Sequence, residues 1–168
     1  MTYSKGAGAG DERAVIAQCE EEAGRVANLR GRKKGGEKIA AIRRELNLVM
    51  ESSCGVYREQ ASMQAGVIAT AQLRGRVADL RLEDESKVFN TELITALELQ
   101  NMVEVAETLA VSAAHRKESR GAHTCKDFKT RDDQNYLYHT MAYHDPAGPR
   151  LGKKDVVLGK WVPEERKY

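Results

Sequence analysis

The sequence predicts a mainly α fold: a three-helix, spectrin-repeat-like up-down bundle, with one helix before it and a short C-terminal β-hairpin tail after it. Three observations lead there. The apolar share is 41% while aromatics are only 5%, so the core is built from Ala, Leu, Val and Ile, a mix that favours helices over sheets. No proline precedes Pro146, so nothing interrupts long helices. Apolar residues recur at three- and four-residue steps over several long stretches. With 168 residues, the chain is long enough for a real core and amounts to one domain, or one domain plus an extension. Its expected division is a flexible lead-in (1–10), an N-terminal helix and basic loop (11–36), a helical bundle (37–121) and a polar tail with the β-hairpin (122–168).

The lead-in carries Gly6, Gly8 and Gly10. A dinucleotide fingerprint needs Gly-x-Gly-x-x-Gly after a strand; position 11 is Asp and no strand precedes it. The first helix runs from Asp11, a suitable cap, to about Arg30, with Ile16, Cys19, Ala23, Val26 and Ala27 on one face. Gly31, Gly35 and Gly36 end it, and Arg30, Arg32, Lys33 and Lys34 make the loop basic. The second helix spans Glu37 to Ser53 with an Ile39, Ile42, Leu46, Val49 and Met50 stripe, stopped by Gly55. The third runs from about Glu59 to Leu82; Gly66 and Gly75 weaken it by about 1 kcal/mol each relative to Ala, which calls for a packing reason at both. The fourth is capped by Asn90 or Thr91 and continues to about Arg120. Its apolar face is so wide, with Leu93, Ile94, Leu97, Leu99, Val103, Val105 and Leu109, that it reads as the centre of the bundle. In the tail, 135–143 reads as a strand, 145–149 as a turn and 155–158 as the return strand. A lone hairpin is marginal in water, so the tail is expected to be looser than the bundle. Trp161 is either a docking residue or packs on the bundle.

Charge excludes several classes. The charged share is 31% with a net charge of +2, which argues against a dedicated nucleic-acid binder. No run of about 18 apolar residues exists, so no segment reads as a membrane span. The start lacks the charged-then-apolar pattern of a signal peptide. Cys19, Cys54 and Cys125 are odd in number and widely spaced, which fits a reducing compartment better than a disulfide framework.

The chemically loaded stretch is Arg116-Lys117-Glu118-Ser119-Arg120-Gly121-Ala122-His123, at the expected junction of bundle and tail. Basic residues suit a helix C-terminus, and Gly121 suits the left-handed position just past it. His123 and Cys125, with His115 or His139, match no common zinc spacing. Cys125 beside a His is a weak nucleophile signal. Asp132 and Asp133 read as loop caps or ion-pair partners of Arg120 or Arg131 before they read as a cation site. Arg116, Arg120 and Arg131 carry the planar donors that grip carboxylates, which opens a dicarboxylate reading.

That stretch, together with Arg131-Asp132-Asp133-Gln134-Asn135 and His139-Thr140, resembles the C-terminal domain of the succinate dehydrogenase/fumarate reductase flavoprotein subunit. Cys54-Gly55-Val56-Tyr57-Arg58 and Phe89-Asn90-Thr91-Glu92-Leu93 match it too, and the likeness runs from about Ile39 to Tyr143. L-aspartate oxidases share a version of the first motif, whereas the Asp-Asp-x-Asn…His-Thr pattern points to the succinate/fumarate branch. The resemblance implies a role in an oxidoreductase that interconverts succinate and fumarate with FAD and exchanges electrons with quinone through an iron–sulfur subunit. Substrate and flavin residues of that family lie on other domains, so the resemblance places no catalytic, cofactor or metal residue on this chain. It implies instead a surface of Arg116, Glu118, Ser119, Arg120, Gly121, His123, Arg131, Asp132, Asp133 and His139 that docks on the flavin-binding domain of the same subunit and on the iron–sulfur subunit. Arg120 is expected to weigh on assembly more than on folding. A cytoplasmic location follows, peripheral to the inner membrane through partner subunits and without direct membrane insertion. The alternatives are the helical domain of an L-aspartate oxidase and a free-standing helical interaction module.

Overall fold

The computed structural model describes residues 11–31, 35–160 and 164. The lead-in, most of the basic loop (Arg32, Lys33 and Lys34) and Trp161 lie outside the described residues. Helix α1 (Glu12–Gly31) is followed by a two-residue strand β1 (Glu37–Lys38), α2 (Ile39–Cys54), β2 (Tyr57–Arg58), α3 (Gln60–Val77), β3 (Leu80–Arg81) and α4 (Thr91–His115). The tail holds β4 (Thr124–Cys125), the single turn α5 (Asp133–Tyr136), β5 (Tyr138–Tyr143) and β6 (Arg150–Asp155).

Helices α2, α3 and α4 pack on one another and enclose the main core, in which Ile42, Leu73, Leu80, Leu99 and Val103 are fully buried. The fold is therefore mainly α with a preceding helix and a terminal hairpin, as the pattern of apolar residues implied. Asn90 caps α4, its side chain accepting from the Leu93 N–H at 2.7 Å. Glu92 in the first turn of α4 accepts from the backbone N–H groups of Glu83 and Asp84 and so gathers in the preceding loop. Gly66 has the expected packing reason, because a Cβ there would meet Ser53 Oγ at 2.4 Å where α2 crosses α3. Gly75 has none; nothing lies within 4 Å of the place its Cβ would take.

Two parallel pairs staple the ends of the bundle. β1 pairs with β3, and β2 pairs with β4. The first converts Glu37 and Lys38, expected in a helix, into strand, and moves the end of α3 back from Leu82 to Val77. Gly36 permits this approach: at φ +77 and +74, Gly35 and Gly36 bend the chain, and a Cβ on Gly36 would stand 2.4 Å from the Asp79 carbonyl oxygen.

Three placements differ from the sequence reading. The apolar face of α1 is largely exposed, with Val26 half-buried; only Leu29 of that helix is buried. On α4, Leu109, Val105 and Ile94 are solvent-facing at 43%, 67% and 56% exposure, because the two neighbouring helices cover only part of its apolar circumference. The return strand of the hairpin starts at Arg150 instead of Asp155. The reason is the tight Asp145–Gly148 turn, in which Asp145 Oδ1 accepts from the Ala147 N–H and Gly148 N–H donates to the Asp145 carbonyl.

The tail is tied to the bundle by side-chain contacts. Arg74 of α3 donates to the carbonyls of Pro146 (2.9 Å) and Ala147 (3.2 Å) at the hairpin tip. Its guanidinium is held by Glu107 of α4 at 2.7 Å, a carboxylate that is itself buried. Tyr138 of β5 is buried against α4, with its hydroxyl 2.9 Å from His115 Nε2. The hairpin that would be marginal alone thus leans on the bundle at both ends.

Candidate functional site

Helix α4 ends at His115, and Arg116 already has an extended backbone (φ −89, ψ 114). The helix was expected to reach Arg120 and stop at Gly121. What ends it earlier is long-range bonding. Arg116 Nη2 donates to the carbonyls of Tyr136 and Tyr138, the latter at 3.0 Å, and its guanidinium lies over the Tyr138 ring at 5.2 Å. Gly121, at φ +58, instead heads a tight turn in which Arg120 and His123 exchange N–H···O bonds of 2.8 and 3.0 Å. A left-handed residue at the first central position of such a turn is best supplied by glycine.

The centre of the segment is the Glu118 carboxylate, which is fully buried. Arg120 grips it with two bonds, Nε to Oε1 and Nη2 to Oε2, each 2.9 Å. Arg116 Nε lies 3.2 Å from Oε1, and the Asp132 N–H donates to Oε2 at 3.0 Å. Arg120 Nη2 also reaches Asp133 Oδ1 at 2.7 Å, and Arg131 holds the other oxygen of Asp133 at 2.7 Å. The two arginines keep the Asp133 carboxyl below its usual range, Arg120 first. Asp132 is lowered by the side chain and backbone N–H of Asn135, which it caps. Ser119 ties the segment to the loop beneath it, donating to the Phe128 carbonyl at 2.6 Å and accepting from the Cys125 N–H at 2.9 Å.

His123 sits between two arginines. Arg58 Nη1 lies 2.9 Å from Nδ1, and Nε2 is 3.2 Å from the Arg116 carbonyl. A guanidinium can only donate, so Nδ1 accepts and the ring proton resides on Nε2. Burial pushes the His123 pKa down; the Arg116 carbonyl opposes this, and the Arg58 and Arg116 charges add to it. The ring is therefore a neutral bridge. His139 stands apart from the network: it is exposed on β5, opposite Lys154.

Most of the residues singled out in the sequence thus form one ion-paired knot, with Gly121 in its turn and His139 at its rim. Beside the knot lies a cleft of about 500 Å³ between the C-terminal end of α4 and β5, lined by Arg58, Leu109, Arg116, Tyr138 and His139 among others. Arg58 was not assigned a role from the sequence; the only hint was its place in the matched Cys54–Arg58 run. Arg74 and Glu107 were missed altogether, since each reads as an ordinary charge on a helix.

The arrangement is poor in reactive groups. Among the described residues no group of three His, Cys, Asp or Glu side chains converges as a cation site, and the oxygens of Asp132 and Asp133 are taken by Asn135, Arg120 and Arg131. Cys125 is buried, with Asp127 3.9 Å from its sulfur and no hydrogen bond to a His among the described residues. The described residues do not build a cradle for a flavin dinucleotide. Its phosphates require a glycine turn between a parallel strand and a helix N-terminus, and the close approach at Gly36 is filled by the Asp79 backbone. No described helix is long and apolar enough to cross a membrane.

Comparison with known proteins gives the setting. The family model "Fumarate reductase flavoprotein C-term" matches residues 43–168. A fumarate reductase flavoprotein subunit of Haemophilus influenzae is 42% identical over 159 residues, covering 94% of this chain and 26% of the relative. The Escherichia coli fumarate reductase flavoprotein subunit is 42% identical over 165 residues, 96% of this chain and 27% of the relative. A succinate dehydrogenase flavoprotein subunit of Coxiella burnetii is 43% identical over 109 residues, 65% of this chain and 19% of the relative. Among solved structures, a quinol fumarate reductase chain of E. coli superposes with a TM-score of 0.88 at 41% identity, over 96% of this chain and 28% of that one. The chain spans about a quarter of the length of these relatives. On the family match over residues 43–168, and on relatives 42% identical across nearly its whole length, the chain belongs to the fumarate reductase/succinate dehydrogenase flavoprotein family, as the C-terminal domain of that subunit.

Proposed function

We propose that this chain acts as the structural and docking module of an oxidoreductase that interconverts fumarate and succinate. In that reading FAD and the reacting groups reside on the remainder of the flavoprotein, and electrons pass to or from quinone through an iron–sulfur subunit. The module has no active site of its own. Its contribution is a rigid surface, made by Arg116, Glu118, Ser119, Arg120, Gly121, His123, Arg131, Asp132 and Asp133 with His139 at the edge. That surface seats against the flavin-binding domain and the iron–sulfur subunit. The assembly is cytoplasmic and held at the inner membrane by partner subunits.

The observation that carries this reading is the Glu118 knot. Four of its charged groups, Arg116, Glu118, Arg120 and Asp133, are paired with one another, so they fix shape and leave little capacity for turning over a substrate. The test has two parts. The purified chain mixed with FAD and succinate should show no flavin absorbance after gel filtration and no succinate-dependent dye reduction; retained flavin or turnover refutes the reading. In the intact enzyme, replacing residues of this surface should loosen subunit retention and lower quinone-linked activity together. Loss of activity with full retention of every subunit would mean that the surface serves chemistry, not docking.

A further inference from the structure

We propose that the cleft between the C-terminal end of α4 and β5 is a socket for one carboxylate, an acidic side chain of the flavoprotein portion that precedes this module, with Arg58 as its charge partner. This rests on the docking reading above and names its chemistry.

Four observations carry it. Arg58 is held in place, Nε donating to the Gly55 carbonyl at 3.0 Å and Nη1 to His123 Nδ1 at 2.9 Å. Both partners are neutral, and no carboxylate among the described residues pairs with Arg58, whereas Arg116 and Arg120 share Glu118. A half-buried guanidinium fixed on neutral acceptors, with Nη2 left over among the described residues, is a preorganised site for an anion. Second, the cleft it lines measures about 500 Å³, ample for a side chain. Third, the charges that line the cleft are positive: Arg58, Arg116 and Arg120 border it and no acidic side chain among the described residues does, while Glu118 is already shared by Arg116 and Arg120. Fourth, the surroundings are those of an interface. Val56 and Tyr57, next to Arg58 in the chain, are 74% and 72% exposed, and Leu109 in the cleft is partly bare.

The choice of occupant follows from strength. One carboxylate in one socket is too weak to recruit a separate subunit, but it saturates when tethered, because a linked partner is presented at an effective concentration in the millimolar range. The relatives are about four times the length of this chain, so such a tethered partner is at hand.

The experiment compares hydrogen exchange of segments 120–125 and 134–142 in the isolated chain, in the intact flavoprotein and in the intact complex. Both segments should be protected in the flavoprotein alone. Arg58→Met should raise their exchange about thirtyfold or more there, as expected for truncating one partner of a desolvated charge pair, and raise it several-fold less in the isolated chain, where only the bonds to His123 and the Gly55 carbonyl are lost. Arg58→Lys should restore most of the protection. As a measurement independent of any variant, NMR titration of the wild-type chain with acetate should give saturable shifts confined to the cleft. Shifts that chloride reproduces at equal ionic strength overturn the socket. Protection that survives Arg58→Met overturns the carboxylate while sparing the docking reading. Protection that arises only when the partner subunit is added overturns the tethered occupant. No protection of either segment in any assembly overturns the docking reading and the socket with it.

Discussion

Replacing Glu118 with Ala should be among the most damaging single changes available in this molecule. The carboxylate is fully buried and takes part in four contacts: two from Arg120 at 2.9 Å, one with Arg116 at 3.2 Å and one from the Asp132 N–H at 3.0 Å. The arginines are themselves mostly covered, with side-chain exposures of 18% for Arg116 and 26% for Arg120. Removing the one carboxylate shared by both leaves two guanidiniums under-paired in a poorly solvated site. Breaking a buried pair in this way costs about 3–5 kcal/mol. For a chain of this size each kcal/mol moves Tm by roughly 2–4 °C, so Glu118→Ala should lower the melting point of the isolated chain by about 6–20 °C. Glu118→Gln keeps the shape and one acceptor, and should cost about 1–3 kcal/mol. Equilibrium urea denaturation with unchanged m-values is the assay. A loss below about 1 kcal/mol for Glu118→Ala would show that the knot is solvated in solution and that its geometry does not hold the tail.

By the same reasoning Arg120→Ala should destabilise the isolated chain measurably, contrary to the expectation that this residue matters chiefly for assembly; a melting curve identical to wild type would restore that expectation. Gly75→Ala should stabilise the chain by about 0.5–1 kcal/mol, since a helical Ala costs less than Gly where nothing obstructs it. Gly66→Ala should destabilise it, because the new Cβ would stand 2.4 Å from Ser53 Oγ; the same sign for both would place the α2–α3 crossing elsewhere. Leu99→Ala should cost about 2–5 kcal/mol and Leu109→Ala far less, given their exposures of 1% and 43%; comparable melting shifts would contradict the assigned face of α4. His115 and His123 are both pushed below their ordinary value near 6.5, burial being the first cause in each. As pH falls the unfolded chain therefore takes up these protons first. Stability should be full above about pH 6.5 and decline below it, and His123→Gln should flatten that decline in urea melts at stepped pH.

The three long helices were legible because their apolar periodicity is local and strong, and Asn90 is a cap that announces itself. The end of α4 was not. Neither His115 nor Arg116 is a breaker; the helix stops there because Tyr136 and Tyr138 offer carbonyls to Arg116 from a distant part of the chain. Which face of α4 is covered was also hidden, since Leu109, Val105 and Leu99 look alike in sequence and only the positions of α2 and α3 separate them. The two-residue strands leave no periodic trace at all. Of the site, the residues within 116–133 were visible as an unusual density of charge, but their pairing was not, because Asp133 and Arg131 reach back across a turn. Arg58 stands far from His123 in the chain and meets it only through the β2–β4 pairing.

That pairing sets an order of events. Tyr57–Arg58 meets Thr124–Cys125 across the whole of α3 and α4, so its ends close a long loop whose entropy is lost before any bond rewards it. Helix–helix contacts closer in sequence form sooner. The strand pair therefore assembles after the rate-limiting collapse of the bundle. Substitutions there should leave the refolding limb of a chevron nearly untouched and accelerate the unfolding limb. The lifetime of the closed tail is thus set apart from the speed at which the helices gather, and its persistence can be altered without slowing the chain's acquisition of its core.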